Sequence, residues 1–174
     1  AIAKLRSRLS AYAYGEGDAD LAAVVLEKCR AAGLKLAVAE SCTGGMLGER
    51  LTNVPGSSDV FLGGVIAYHN DVKRNLLGVR AEALEKYGAV SEQVALQMAS
   101  GVREKLGAGV GVSVTGIAGP GGGTPEKPVG LVWVAVQGSE VKARRFHVVG
   151  DRAEIRQRAA QAALEMVRRA LSND

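Results

Sequence analysis

Hydrophobic positions along the 174-residue chain change their period several times, and each change marks an element. Over 21–32, Leu21, Val24, Val25, Lys28 and Cys29 share one face at helical spacing. Asp20 stands where an N-cap belongs, and Gly33 ends the pattern. A nearly continuous apolar run then predicts a strand over 34–39. Helical spacing resumes over 43–53 and is closed by Pro55-Gly56. Residues 60–68 predict a second strand, weakened by Gly63-Gly64, and short helices follow over 70–77 and 80–87. Ser91 can cap a helix over 92–106, where Val94, Met98, Val102 and Leu106 repeat every four residues. A third strand over 110–115 runs into a turn from Gly116 to Pro128. Residues 129–136 and 140–148 form a hairpin about Gly138, and a last helix over 152–171 is expected to bury Ile155, Ala159, Ala162, Ala163, Met166 and Ala170.

Helices alternate with strands early, and a hairpin comes late. That order predicts an α/β fold, a mixed β-sheet with helices on both faces. The length suits one domain over 19–174. Residues 1–18, ending in the turn-rich Tyr14 to Asp18, read as an N-terminal connector.

Composition narrows the function classes. The 23 glycines cluster, as in Gly44-Gly45 and the stretch from Gly119 to Gly123, which suggests tight turns rather than a flexible linker. Net charge is +4 and aromatic residues make up only 4%, so stacking platforms for single-stranded nucleic acid are scarce and no nucleic-acid partner is expected. Mild positive charge can instead steer a phosphorylated metabolite. Cys29 and Cys42 make no disulfide framework and no metal-ligand spacing, so neither metal nor cofactor is expected. Without a signal peptide or an apolar run of membrane length, the expected placement is cytoplasmic, with no membrane partner. The chain begins with Ala rather than Met, which suggests a piece of a longer protein.

Four stretches carry candidate chemistry. In the turn from Ala39 to Gly45, Ser41 is either a nucleophile awaiting a base or simply the cap of the next helix. Cys42 competes with it, because a thiol at a helix N-terminus loses its proton more easily; the alternative is a small packing residue. The chain's two histidines, His69 and His147, offer a Ser-His-Asp arrangement no local signature. Tyr68 to Lys73 places a phenol and an ammonium near one sheet edge. A lysine drawn out of water can act as a general base, whereas one at a helix start is ordinarily solvated. Val114 to Thr124 is a glycine-rich strand end whose N–H groups can receive phosphate or an oxyanion, or else a floppy surface loop. It is neither a Walker A loop nor a dinucleotide fingerprint. Finally, Arg152, with Arg156 one turn later, either clamps an anion or decorates a helix entrance capped by Asp151.

Together these words resemble one family. A-E-S-C-T-G-G, V-P-G-S-S, Y-x-N-x-x-K, G-A-V-S, T-G-I-A-G-P-x-G-G-T, K-P-V-G and G-D-R-x-x-I-R occur in this order over about residues 20–171. The set is similar to the CinA C-terminal domain, the nicotinamide mononucleotide deamidase family. The resemblance implies hydrolysis of the carboxamide of that nucleotide, releasing ammonia, with Ser41 as nucleophile, Lys73 as base and Tyr68 as an assisting hydroxyl. It also implies substrate contacts from Thr43, Gly44, Gly45, Asn70, Thr115, Gly116 and Arg152 or Arg156, both of which fit the pattern. His69 stands where serine is common in relatives. N–H groups at the start of the helix after Ser41 are expected to hold the oxyanion. A homodimer is implied as well. The rival readings are a catalytically silent nucleotide-binding domain and a DNA-associated competence protein.

Overall fold

The computed structural model describes residues 20–172. The connector expected over 1–18 lies outside the described residues. Elements follow in the order α1 (Leu21–Ala31), β1 (Leu36–Glu40), α2 (Met46–Thr52), a 3₁₀ turn (Ser57–Asp59), β2 (Phe61–Ile66), α3 (Asn70–Leu77), α4 (Ala81–Tyr87), α5 (Glu92–Leu106), β3 (Val110–Gly116), β4 (Leu131–Gln137), β5 (Val141–His147) and α6 (Arg152–Ala170). The five strands form one mixed sheet in the order β2-β1-β3-β4-β5. β1 runs parallel to both β2 and β3, and β4 runs antiparallel to β3 and to β5. No helix among the described residues is long and apolar enough to cross a membrane.

Alternation along the strands splits the interior into two layers. Leu36, Val38, Val110, Val112, Val114, Val132 and Val134 point to the side covered by α1, α2 and α6. Ala37, Ala39 and Ala135 point to the side where α5 lies, flanked by α3 and α4. Small residues let α5 come close: a Cβ on Gly111 would sit 2.2 Å from the Ala99 carbonyl oxygen. Ser113, buried on the same face, donates to the Ala95 carbonyl at 2.6 Å, which keeps its hydroxyl paired.

Capping explains most boundaries. Asp20 accepts the Ala22 N–H, Ser91 accepts the Val94 N–H, and Asp151 and Glu154 form a reciprocal capping box on α6. Most strands start one or two residues later than expected, and two further boundary shifts bear on the cleft. The second helix begins at Met46 rather than 43, because Gly44 and Gly45 have φ of 60° and 99°, outside helical space. β2 ends at Ile66, and the carbonyls of Ala67 and Tyr68 turn toward Lys73 instead of continuing the ladder. On α6, Ile155, Ala159 and Ala163 are buried as expected, but Ala162, Met166 and Ala170 are half-buried while Ala160, Leu164 and Val167 are fully covered. The helix is rolled because it packs on α1 and α2 as well as on the sheet.

β1 and β3 are parallel neighbours whose chains leave in opposite directions, β1 toward β2 and β3 toward β4. A crevice opens at such a point, outside the carboxyl ends of the strands.

Candidate functional site

The crevice is a cleft of about 210 Å³. Ser41 and Cys42 from the end of β1 form one wall, and Thr115, Gly116 and Ala118 from the end of β3 form another. Tyr68, Asn70 and Lys73 enter from the β2–α3 connection, Ala89 and Val90 from the α4–α5 loop, and Arg152 from the start of α6. Of the residues singled out in the sequence, the structure therefore brings together Ser41, Cys42, Tyr68, Asn70, Lys73, Thr115, Gly116 and Arg152. Thr43, Gly44, Gly45 and Arg156 are not on the cleft wall. A larger groove of about 440 Å³, bordered by Met46, Arg50, Arg158 and Gln161, has neither a nucleophile nor a buried base on its walls.

Lys73 is not the solvated charge that helix starts usually carry. Its side chain is 1% exposed. The Nζ donates to the carbonyls of Ala67 at 2.7 Å and Tyr68 at 3.0 Å. Burial pushes its pKa down to about 8, because the ammonium has lost water; the Cys42 thiol opposes this only in part. A neutral amine keeps two N–H donors for these two carbonyls and retains its lone pair.

Ser41 lies at the strand end, 8% exposed, with its own N–H donated to the Val114 carbonyl at 2.9 Å. It does not cap α2. That helix has Gly45 at its N-cap position, with no bond from that residue's side. The cap is Glu40, five residues upstream and 1% exposed. One carboxylate oxygen accepts the Gly45 and Leu47 N–H groups, each at 3.0 Å, and the other accepts the Gly48 N–H at 2.8 Å. The helix start expected to hold an oxyanion is thus already occupied by the protein's own anion. Sequence reasoning passed over Glu40, although an acid closing a buried apolar run just before a helix is a capping signal.

Burial weighs against the thiol alternative, and placement against the histidines. Burial pushes the Cys42 thiol up to about 11, so it is a packed thiol rather than a reactive thiolate. His69 accepts the Asp71 N–H at 3.3 Å and caps α3. His147 lies exposed on β5, and neither ring lines the cleft.

The two arginines separate cleanly. Arg152 spans the mouth, donating to the Gly119 carbonyl at 2.6 Å and to the Tyr68 hydroxyl at 3.2 Å. Asp151 caps the helix as one reading of this entrance expected, and Arg152 lines the cleft. Arg156 instead grips the Ser41 turn from behind, donating to the carbonyls of Cys42 at 3.1 Å and Thr43 at 2.8 Å. The glycine-rich strand end is tied down rather than floppy. Thr115 donates to the Ala89 carbonyl at 2.9 Å, and Lys127 reaches the carbonyls of Tyr87 and Val90.

Known proteins share this sequence and fold. The family described as the CinA C-terminal domain matches residues 18–171. A CinA-like protein of Gemmatimonas aurantiaca is 59% identical over 100% of this chain, and a putative competence-damage inducible protein of Clostridium acetobutylicum is 47% identical over 98% of it. The chain spans 41% and 42% of the length of these two relatives. Among solved structures, the competence/damage inducible protein CihA from Agrobacterium tumefaciens superposes with a TM-score of 0.81 at 45% identity, covering 87% of this chain and 93% of that one. Competence damage-inducible protein A from Klebsiella pneumoniae superposes with a TM-score of 0.85 at 35% identity, covering 88% and 96%. With the match running through all the strands and helices that build the cleft, the chain belongs to the CinA C-terminal domain family.

Proposed function

We propose that the chain hydrolyses the carboxamide of nicotinamide mononucleotide to a carboxylate and ammonia, with Ser41 as nucleophile and Lys73 as base. One observation carries this reading: a serine and a fully buried lysine, its pKa brought down to about 8, share one cleft. Neutral Lys73 takes the Ser41 proton as Oγ bonds to the amide carbon. The C–N bond then breaks, and Lys73 returns the proton to the departing nitrogen. Water, deprotonated in the same way, cleaves the acyl-serine and frees Ser41. At pH 7 about one lysine in ten is neutral, enough for a base poised near neutrality.

The cleft, at about 210 Å³, is smaller than the roughly 300 Å³ at which sites for whole drug-sized ligands begin. It suits the pyridine ring with its carboxamide, leaving ribose phosphate at the mouth. There Arg152 is the guanidinium in reach, since Arg156 is committed to two carbonyls. Asn70 and Thr115 supply polar groups along the walls. Tyr68 assists through its position: its carbonyl holds Lys73, and its hydroxyl holds Arg152. Incubating the chain with nicotinamide mononucleotide and following ammonia tests the reading, beside Ser41→Ala and Lys73→Ala. Ammonia release that both substitutions abolish supports it, and full activity in both overturns the mechanism. Binding without ammonia release would instead mark a silent nucleotide-binding domain.

A further inference from the structure

The nucleophile turn is held from two sides by opposite charges. Inside, Glu40 accepts three N–H groups from the start of α2, and outside, Arg156 donates to the carbonyls of the next two residues after Ser41. Gly44 serves the turn through its backbone, since its φ of 60° lies in the left-handed region that favours glycine. Three further N–H groups of the turn are also paired. Ser41 donates to Val114, Gly44 to the Ser41 carbonyl and Met46 to the Thr43 carbonyl.

We infer that Glu40 is a positioning residue for the Ser41 reaction: it fills the start of α2 and fixes the 41–45 turn against Arg156. The inference rests on Ser41 being the nucleophile and deepens that reading. A carboxylate suits the task because it accepts on both oxygens. A carboxamide of the same shape turns an NH₂ group onto at least one backbone N–H, so two donors face each other and the turn must shift. A displaced nucleophile costs rate more than substrate affinity.

The test compares Glu40→Gln and the milder Glu40→Asp with the wild-type chain. A fluorophosphonate that phosphonylates Ser41 is timed in each, and ammonia release from nicotinamide mononucleotide is measured per labelled serine. The expected result is complete labelling at the end point, a labelling rate at least about 20-fold slower for Glu40→Gln, a parallel fall in kcat per labelled site, and KM within about threefold. Glu40→Asp is expected to fall between, and it carries the comparison if Glu40→Gln does not fold. A purely structural carboxylate predicts fewer labelled sites, each with wild-type rate, and that outcome overturns the inference. Glu40-dependent labelling in a chain that releases no ammonia sinks the amide substrate but upholds the positioning role. A wild-type Ser41 that cannot be labelled overturns both.

Discussion

The turns that follow β1 and β3 look alike as sequence and are built for different work. Each is a glycine-bearing strand end with N–H groups to spare, and each reads as an anion cradle. After β1, the cradle is filled by Glu40 and clamped by Arg156. After β3, no acid fills the loop. Thr115, Gly116 and Ala118 line the cleft, and Lys127 and Thr115 brace that wall against the α4–α5 loop. An anion site is therefore recognised by what is left unpaired after folding, not by its glycines.

The comparison is broken most directly at Ser41. Ser41→Ala is expected to lower ammonia release by at least about 10³-fold with KM little changed, because the group that forms the covalent bond is gone. Retained turnover would mean that the β1 turn does not carry the nucleophile.

Lys73→Met comes next, with a loss of about 10²- to 10³-fold. Its pH behaviour sharpens the point. Burial depresses the pKa of Lys73 to about 8, so kcat/KM of the wild type is expected to climb about tenfold per pH unit below 8 and level off above it. The folded state then binds fewer protons than the unfolded chain between about 8 and the ordinary lysine value of 10.5. Stability of the wild type relative to Lys73→Met should therefore rise with pH in that window, as read by urea unfolding. A flat activity profile across pH 6–9 would remove Lys73 as the base.

On the β3 side, Arg152→Gln should act on binding. KM for the mononucleotide is expected to rise about tenfold, while the nucleoside lacking phosphate is affected by less than about twofold. Equal losses on both substrates would show that Arg152 serves the cleft's shape rather than the phosphate.

The smallest effect is expected at Cys42→Ser. The thiol is packed and protonated, so activity should stay within about threefold, with a stability cost near 1 kcal/mol in thermal unfolding. A severe activity loss with an intact fold would return the nucleophile role to Cys42.

Much of this was legible in the chain itself. Period changes at Gly33, Pro55 and Ser91 located the elements, because caps and turn residues act within a few positions of where they stand. The site words from Ser41 to Arg152 were visible as motifs, and the structure gathers residues from five of them around one cleft. What local pattern left open depended on partners far along the chain. Arg152 and Arg156 are one helical turn apart and chemically the same, yet one reaches Gly119 and Tyr68 and the other reaches Cys42 and Thr43. Lys73 looked like any surface lysine because burial is set by the whole fold packed around a residue.

The sequence by itself determined the α/β alternation, the element boundaries to within a few residues and the family. These rest on short-range periodicity and on rare words in a set order. Only the tertiary structure decided that Lys73 is dry and inclined to lose its proton, and that Glu40 occupies the helix start that seemed free for an oxyanion. Both follow from which groups lose water and which find partners when β1, β3, α3 and α6 close on one another, and desolvation and pairing belong to that assembly rather than to any segment of it.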